Sequence, residues 1–317
     1  MSRPKVSIIV LSYNQRNTIG RALDSILRQR CSFPYEIIIG DDASTDGTRA
    51  ICEEYAARYP DIIRLMPAAP NKGVVDNYFD CLLECRGQYI SDCAGDDEWG
   101  DIDRMQRQTE YLDANPEDIA VISDWIIDIG GKRTNTSDIE AYSSIRKRVA
   151  GYEMLRTIFV LDNGFIFISA MTFRREPLVE AYSRNPNNLR RREWGCEDTP
   201  VACALAAAGA YGYLPLTASV YYHVDGSVSR RKNLWEEFDF ALGMVSCDLD
   251  LCRIYGVEQQ EIASKLIPLV RYVVGLAFKL HKKESTARLM RLMEDFKLRL
   301  PLVSSIKFLL LRLLLYK

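Results

Sequence analysis

Residues 6–30 read VSIIVLSYNQRNTIGRALDSILRQR. VSIIVLS (6–12) is an unbroken apolar, β-branched run, the pattern of a strand buried on both faces. It stops at Tyr13-Asn14-Gln15. NTIGRALDSILRQR (17–30) then sets Ile19, Ala22, Leu23, Ile26 and Leu27 on one helical face. The unit repeats downstream. YEIIIGDD (35–42) predicts a second buried strand ending in two aspartates, and DGTRAICEEYAARY (46–59) a helix capped by Asp46. DIIRLM (61–66) predicts a third strand, NKGVVDNYFDCLLECRG (71–87) a turn and a helix, and QYISDCA (88–94) a fourth strand. Strands and helices alternating over short connections predict a doubly wound α/β sheet with right-handed crossovers.

Ligands of such sheets sit at the carboxyl ends of the strands. Polar clusters fall at three of those ends: Ser12-Tyr13-Asn14, Asp41-Asp42 and Asp96-Asp97. They are distant in sequence and converge on one rim if the strands are as predicted. YISDCAGDDEW (89–99) crowds Asp96, Asp97 and Glu98 together. A metal ion, a basic side chain or water must offset their mutual repulsion. Taken alone, the stretch reads equally as a solvated acidic turn capping a helix near Asp101.

Beyond Trp99 a helix is expected up to Asn115-Pro116, then a strand in IAVISDWIIDIG (119–130). Residues 131–148 are polar and carry Lys132, Arg133, Arg146, Lys147 and Arg148, the composition of a mobile loop over the site. FIFISAMTFRRE (165–176) is strand-rich. CEDTPVACALAAAG (196–209) predicts a helix opening on acidic residues, and 210–231 two strands and a turn. From Asn233 onward long helical patterns take over. The expected division is an α/β domain over 1–230 and a helical region over 231–317.

The chain of 317 residues has a formal net charge of -2 and is 48% hydrophobic, so it can bury a sizeable core and exerts no overall attraction on nucleic acid. Its nine cysteines are odd in number and form no CxxC pair, which speaks for free thiols in a reducing cytosol rather than a disulfide framework or zinc ribbon. The first residues lack a signal-peptide pattern. No run of 18 uncharged apolar residues occurs, so no spanning helix is expected. SSIKFLLLRLLLYK (304–317) reads as an interfacial helix on acidic headgroups, or as a helix packed on protein. The first reading places the chain peripherally on the inner face of the cytoplasmic membrane.

VSIIVLSYNQ, EIIIGDDASTDGT, NKG and GQYISDCAGDDEW, in that order, resemble family 2 glycosyltransferases of the GT-A fold. The resemblance runs over about the first 110 residues and resumes at WGCEDTP (194–200) and YYHVDGSVS (221–229). It implies a nucleotide-diphosphate sugar donor, a UDP-sugar by preference, bound at the rim. It implies Mg2+ or Mn2+ bridging the diphosphate, since such hard ions prefer carboxylate oxygen and water. It implies inverting transfer to a glycan or lipid-linked acceptor in cell-surface polysaccharide synthesis.

By the same resemblance, Asp41 accepts a hydrogen bond from the base, and Ser12, Tyr13 and Asn14 line the nucleotide. Asp42, Lys72 and Gly73 belong to the donor site, the last two with a plain turn as the alternative. Asp96 holds the metal, and Asp97 contacts ribose or a loop. Asp198, with Glu197 beside it, is the base that takes the acceptor's proton; an acidic helix start is the alternative. His223 faces the diphosphate or metal, or is a structural histidine. Arg230 closes over the diphosphate, or sits in a solvated basic turn. The family's Asp-x-Asp becomes Ala94-Gly95-Asp96 here, so one carboxylate is missing. Asp92 shares a strand face with positions 94 and 96 and is a candidate substitute. The missing acid also motivates a second reading, a non-catalytic nucleotide-sugar or glycan-binding protein. A nucleotidyltransferase ranks last, because SYNQRNT (12–18) has no glycine to cradle a triphosphate.

Overall fold

The computed structural model describes residues 3–160, 167–223 and 233–297. The chain divides into two compact units, one of residues 1–192 and 196–224, the other of 193–195 and 225–317.

The first unit is built on one large sheet. Its strands are β1 (Val6–Ser12), β2 (Tyr35–Asp41), β3 (Ile63–Leu65), β4 (Tyr89–Ala94), β5 (Glu98–Trp99), β6 (Asp118–Ile129), β7 (Lys132–Asn135), β8 (Val149–Ala150), β9 (Met171–Arg174) and β10 (Ala210–Tyr222). The helices are α1 (Ile19–Leu27), α2 (Thr48–Arg58), α3 (Val74–Glu84), α4 (Arg104–Ala114), α5 (Gly151–Val160), α6 (Arg175–Arg184) and α7 (Asp198–Ala208). The strand order is β3-β2-β1-β4-β9-β6-β10-β5, with β7 on β6 and β8 on β10. β3, β2, β1 and β4 run parallel, whereas β9 is antiparallel to both β4 and β6. The unbroken apolar runs of β1 and β2 follow from this. Ile8, Val10, Ile37 and Ile39 are fully buried, and Ile19, Ala22, Leu23 and Ile26 of α1 pack in the same cluster.

Four local expectations are corrected. Gly47, not Asp46, caps α2, at φ +99, where glycine is favoured; Asp46 stands one residue earlier and accepts from Thr48 N at 3.0 Å. Residues 131–148 are not an unanchored loop. They form a hairpin strand and short helical turns, held by Arg133 on Asp128 at 2.9 Å and by Arg146 donating to the Ile139 carbonyl at 2.8 Å. Within 165–176, of which 165 and 166 lie outside the described residues, the described strand is Met171–Arg174, after a single helical turn. Where two strands and a turn were expected over 210–231, of which 224–231 lie outside the described residues, 210–222 form one strand. Its pairing with β6 slips between Tyr213 and Thr217, where Pro215 has no N–H to give the ladder.

The second unit contains α8 (Leu234–Tyr255), α9 (Ala263–Leu280) and α10 (Lys283–Asp295). Asn233 caps α8, its side chain accepting from Trp235 N and Glu236 N. The buried Asp248 of α8 pairs with Lys265 of α9 at 3.1 Å. Among the described residues, no helix is long and apolar enough to cross a membrane. Arg230 and the 304–317 tail lie outside the described residues.

Candidate active site

Strand register places the rim. Ser12 pairs with Asp41, and Leu11 with both Gly40 and Ala94, so β1, β2 and β4 end at one level. The loops beyond are stitched together. Asp42 N donates to the Ser12 carbonyl at 3.0 Å and Gly95 N to the Leu11 carbonyl at 2.8 Å. Asn14 adopts φ +53, a conformation Asn tolerates, and bridges to the neighbouring loop. Its N–H donates to Ser44 Oγ at 2.9 Å, and its Oδ1 accepts from Thr45 N at 2.8 Å. Tyr13 is exposed. Asp41 is buried, 3.4 Å from Ser12 Oγ and 3.8 Å from the Arg49 guanidinium.

Asp42 and Lys72 are engaged within the protein. Both Asp42 oxygens accept backbone N–H groups, from Lys72 at 2.8 Å and Gly73 at 2.9 Å. The Lys72 ammonium lies on Asp80 at 2.6 Å. Their visible work is to shape the loop entering α3.

The crowded carboxylates are separated by different partners. Glu98 accepts from the Tyr222 hydroxyl at 2.9 Å and pairs with Arg28 at 3.3 Å. Asp97 is 1% exposed and accepts from Tyr222 N, at the end of β10, at 3.2 Å. Asp96 is half-buried. Burial raises the Asp96 carboxyl above its ordinary range, and burial plus the Asp96 charge push Asp97 well above it. The nearby cation is Arg21, which sequence reasoning missed. Its Nη2 donates to the Asp96 carbonyl at 2.5 Å, and its guanidinium lies 3.7 Å over the Tyr222 ring. A faint signal existed: Arg21 stands in the first turn of α1, where the helix dipole disfavours a cation unless something negative holds it. His223 follows Tyr222 and donates its N–H to the Asp128 carbonyl at 2.9 Å.

Glu197 and Asp198 open α7 and are half-buried. Burial pushes the Asp198 carboxyl up to about 6, against the pull of a Glu197 hydrogen bond. Burial and the Asp198 charge push Glu197 well above its usual range. The effect reaches Asp92 on β4. That side chain is 4% exposed, neither of its oxygens has a hydrogen-bond partner among the described residues, and burial together with the Asp198 charge raises it strongly. The fully buried Tyr78 hydroxyl of α3 also lacks a hydrogen-bond partner and feels both Asp92 and Asp198. Asp92 is therefore enclosed and answers to the Glu197-Asp198 pair.

No cluster of three or more His, Cys, Asp or Glu side chains able to hold a metal occurs among the described residues. The chemistry of the rim still suits a hard cation. Asp96 and Asp97 are adjacent carboxylates with raised proton affinity, and a divalent ion relieves that repulsion. With alanine at 94, the protein offers a partial seat that a diphosphate and water would complete.

Residues 7–182 match the family described as "Glycosyl transferase family 2". The chain belongs to glycosyl transferase family 2. An uncharacterized protein of Mycobacterium tuberculosis, Rv1520, is 35% identical over 238 residues, covering 73% of this chain and 64% of that protein. The chain thus spans just under two thirds of that relative. The succinoglycan biosynthesis protein ExoO of Rhizobium meliloti is 27% identical over 257 residues, covering 80% of this chain and 70% of ExoO. Among solved structures, S. aureus TarS 1-349 in complex with UDP-GlcNAc superposes with a TM-score of 0.62 at 18% identity, over 98% of this chain and 86% of that one. The mannosyltransferase PcManGT from Pyrobaculum calidifontis, in complex with GDP-Man and Mn2+, gives 0.54 at 18% identity, over 100% and 82%. The fold of this family 2 member is GT-A.

Proposed function

We propose that the chain is an inverting glycosyltransferase that moves a hexose-type sugar from a nucleotide diphosphate, UDP by preference, to a hydroxyl of a glycan or lipid-linked acceptor in cell-surface polysaccharide synthesis. One observation carries the reading. The first unit joins a level rim of strand ends bearing Asp41 and Asp96 to a desolvated acid, Asp198, whose carboxyl is tuned to about 6. A base near neutrality can accept the acceptor's proton as that oxygen attacks the anomeric carbon. The relatives support the donor and the pathway class, since TarS is a UDP-GlcNAc complex and ExoO is a succinoglycan biosynthesis protein.

In this reading Ser12, Tyr13, Asn14 and Asp41 bind the nucleoside. Asp42 holds the Lys72-Gly73 loop that borders it. Asp96, with His223 and the donor diphosphate, would hold Mg2+ or Mn2+. Such an ion, when bound, neutralises the diphosphate leaving group. Asp97 fixes the end of β10 and with it His223. Asp198 takes the proton, and Glu197 beside it is held well above its usual carboxylate range by burial and the Asp198 charge. Arg230 is assigned to the diphosphate, and 304–317 to peripheral contact with the inner face of the cytoplasmic membrane.

Calorimetric titration of UDP with and without Mn2+ tests the donor site, and release of UDP from UDP-sugars tests turnover. Metal-dependent UDP binding with turnover that Asp198→Asn abolishes is expected. The alanine at position 94 favours one competing reading, a nucleotide-sugar-binding protein without turnover. Binding with no UDP release for any sugar or acceptor would select it.

A further inference from the structure

A five-member ion network lies between helix α3 and the segment that precedes Glu197-Asp198. Asp76 and Asp80 stand four residues apart on α3 and so share one face. Asp76 is 5% exposed and receives two guanidinium groups, Arg190 Nε at 2.5 Å and Arg192 Nε. Arg190 also reaches Asp80 Oδ1 at 2.8 Å and donates to the Tyr182 hydroxyl at 3.3 Å. The other Asp80 oxygen takes the Lys72 ammonium at 2.6 Å. The Tyr182 ring stacks on Phe79 of α3, centroids 5.2 Å apart. Burial alone would raise the Asp76 carboxyl, but the bonds and charges of Arg190 and Arg192 hold it below its usual range.

The network has a definite place between the two halves of the site. On one side Lys72 and Gly73 grip Asp42 at the end of β2 through their backbone N–H groups. On the other, Arg190 and Arg192 end the first stretch of this unit; three residues belonging to the second unit follow, and the chain re-enters at Cys196, two residues before Asp198. The network is thus the last ionic anchor, among the described residues of this unit, before the candidate base. Buried ion pairs add little net stability but fix geometry, and a forked guanidinium fixes it more tightly than an ammonium can.

We propose that Asp76 and Arg190 are positioning residues: they set the entry of the Glu197-Asp198 segment against the loop that frames the nucleotide, and so place the base without seating the donor. The inference rests on the proposed sugar transfer for its kinetic consequence, not for its structural one. Arg190 serves three oxygen-bearing groups at once, and a lysine there reaches only one or two of them.

The test uses the full chain with Arg190→Lys and Asp76→Asn; if Asp76→Asn does not fold, Arg190→Lys carries the test alone. UDP affinity is measured by calorimetry, turnover by UDP release from the UDP-sugar the unaltered chain uses best, and backbone order by hydrogen exchange. Expected are kcat lowered about 10- to 100-fold, UDP affinity within about threefold, and faster exchange confined to amides near 196–201. Unchanged exchange there in a folded Arg190→Lys variant overturns the proposal. So does a parallel loss of UDP affinity and kcat, which marks general loosening. If the unaltered chain turns over no UDP-, GDP- or dTDP-sugar, the transferase reading falls. The exchange comparison still decides the network: faster exchange upholds it, unchanged exchange overturns it.

Discussion

The Asp198 carboxyl, pushed up to about 6 by burial, gives the proposed reaction a definite pH profile. A base must be ionised to work. At about 6, Asp198 is about half ionised at pH 6, about nine-tenths at pH 7 and about one-tenth at pH 5. Turnover should therefore fall roughly tenfold between pH 7 and pH 5. An ordinary aspartate near 3.8 would leave the rate almost flat over that range. The stability effect has the opposite sign. The folded-state value lies above the unfolded one, so the contribution of Asp198 is fully present below pH 3.8 and is lost as pH rises through about 6. Asp198→Asn should accordingly lower kcat by about 10²–10⁴-fold while holding or raising the denaturation midpoint at pH 8. The assay is UDP release at saturating donor in overlapping buffers from pH 5 to 8, with UDP affinity measured at each pH to separate binding from chemistry. A flat kcat between pH 5 and 7, or full turnover in Asp198→Asn, would refute the assignment of the base.

Three further outcomes follow from the same geometry. Ala94→Asp restores a carboxylate beside Asp96 and should tighten Mn2+-dependent UDP binding in calorimetry while lowering stability without metal; equal UDP affinity with and without Mn2+ in this variant would count against a metal at the rim. Gly95→Ala places a Cβ 2.3 Å from Gln15 Oε1 and 3.0 Å from the Leu11 carbonyl, which should cost about 1–3 kcal/mol in chemical denaturation; a loss of under half a kcal/mol would show that the turn yields freely. Asp92→Asn removes an enclosed acid whose folded-state value is raised, so native Asp92 contributes stability that is lost as pH rises above the ordinary carboxylate range. The variant's advantage in urea midpoint should grow from pH 5 to pH 8, and an advantage that shrinks with pH would contradict the burial argument.

The parallel half of the fold was legible because its chemistry is local. Strands buried on both faces must be apolar throughout, and VSIIVLS and EIIIG could hardly be anything else. The convergence of the strand ends that lead into Ser12-Tyr13-Asn14, Asp41-Asp42 and Asp96-Asp97 followed from the alternation of elements alone. What was hidden depends on partners far along the chain. The slip in β10 is set by Pro215 against β6, and the anchoring of 131–148 by Asp124 and Asp128 on the neighbouring strand. Lys72 looked like a donor-site cation because its partner, Asp80, lies two turns on in the next helix and serves Arg190 as well. Arg21 was overlooked because a helix surface normally carries such residues with no further meaning.

Arg21 also bears on the missing acid at position 94. The carboxylates of this unit gather in two groups. Asp96 and Asp97 lie at the rim, and Glu197 and Asp198 lie at the start of α7 with Asp92 in the field of Asp198. Burial already pushes every one of the five toward its protonated form, and a neighbouring carboxylate adds to it at Asp92, Asp97 and Glu197. A further acid at 94, two residues from both Asp92 and Asp96, would add negative charge to the stretch that joins the groups. Alanine spares that repulsion, and Arg21, braced on Tyr222 and bonded to the Asp96 carbonyl, supplies a fixed positive charge in its place. On the proposed metal reading, lower charge at the rim would cost cation affinity, while Asp198 stays at about 6. In the proposed reading, the departure at 94 exchanges a weaker grip on the cation for a base that can still ionise at physiological pH.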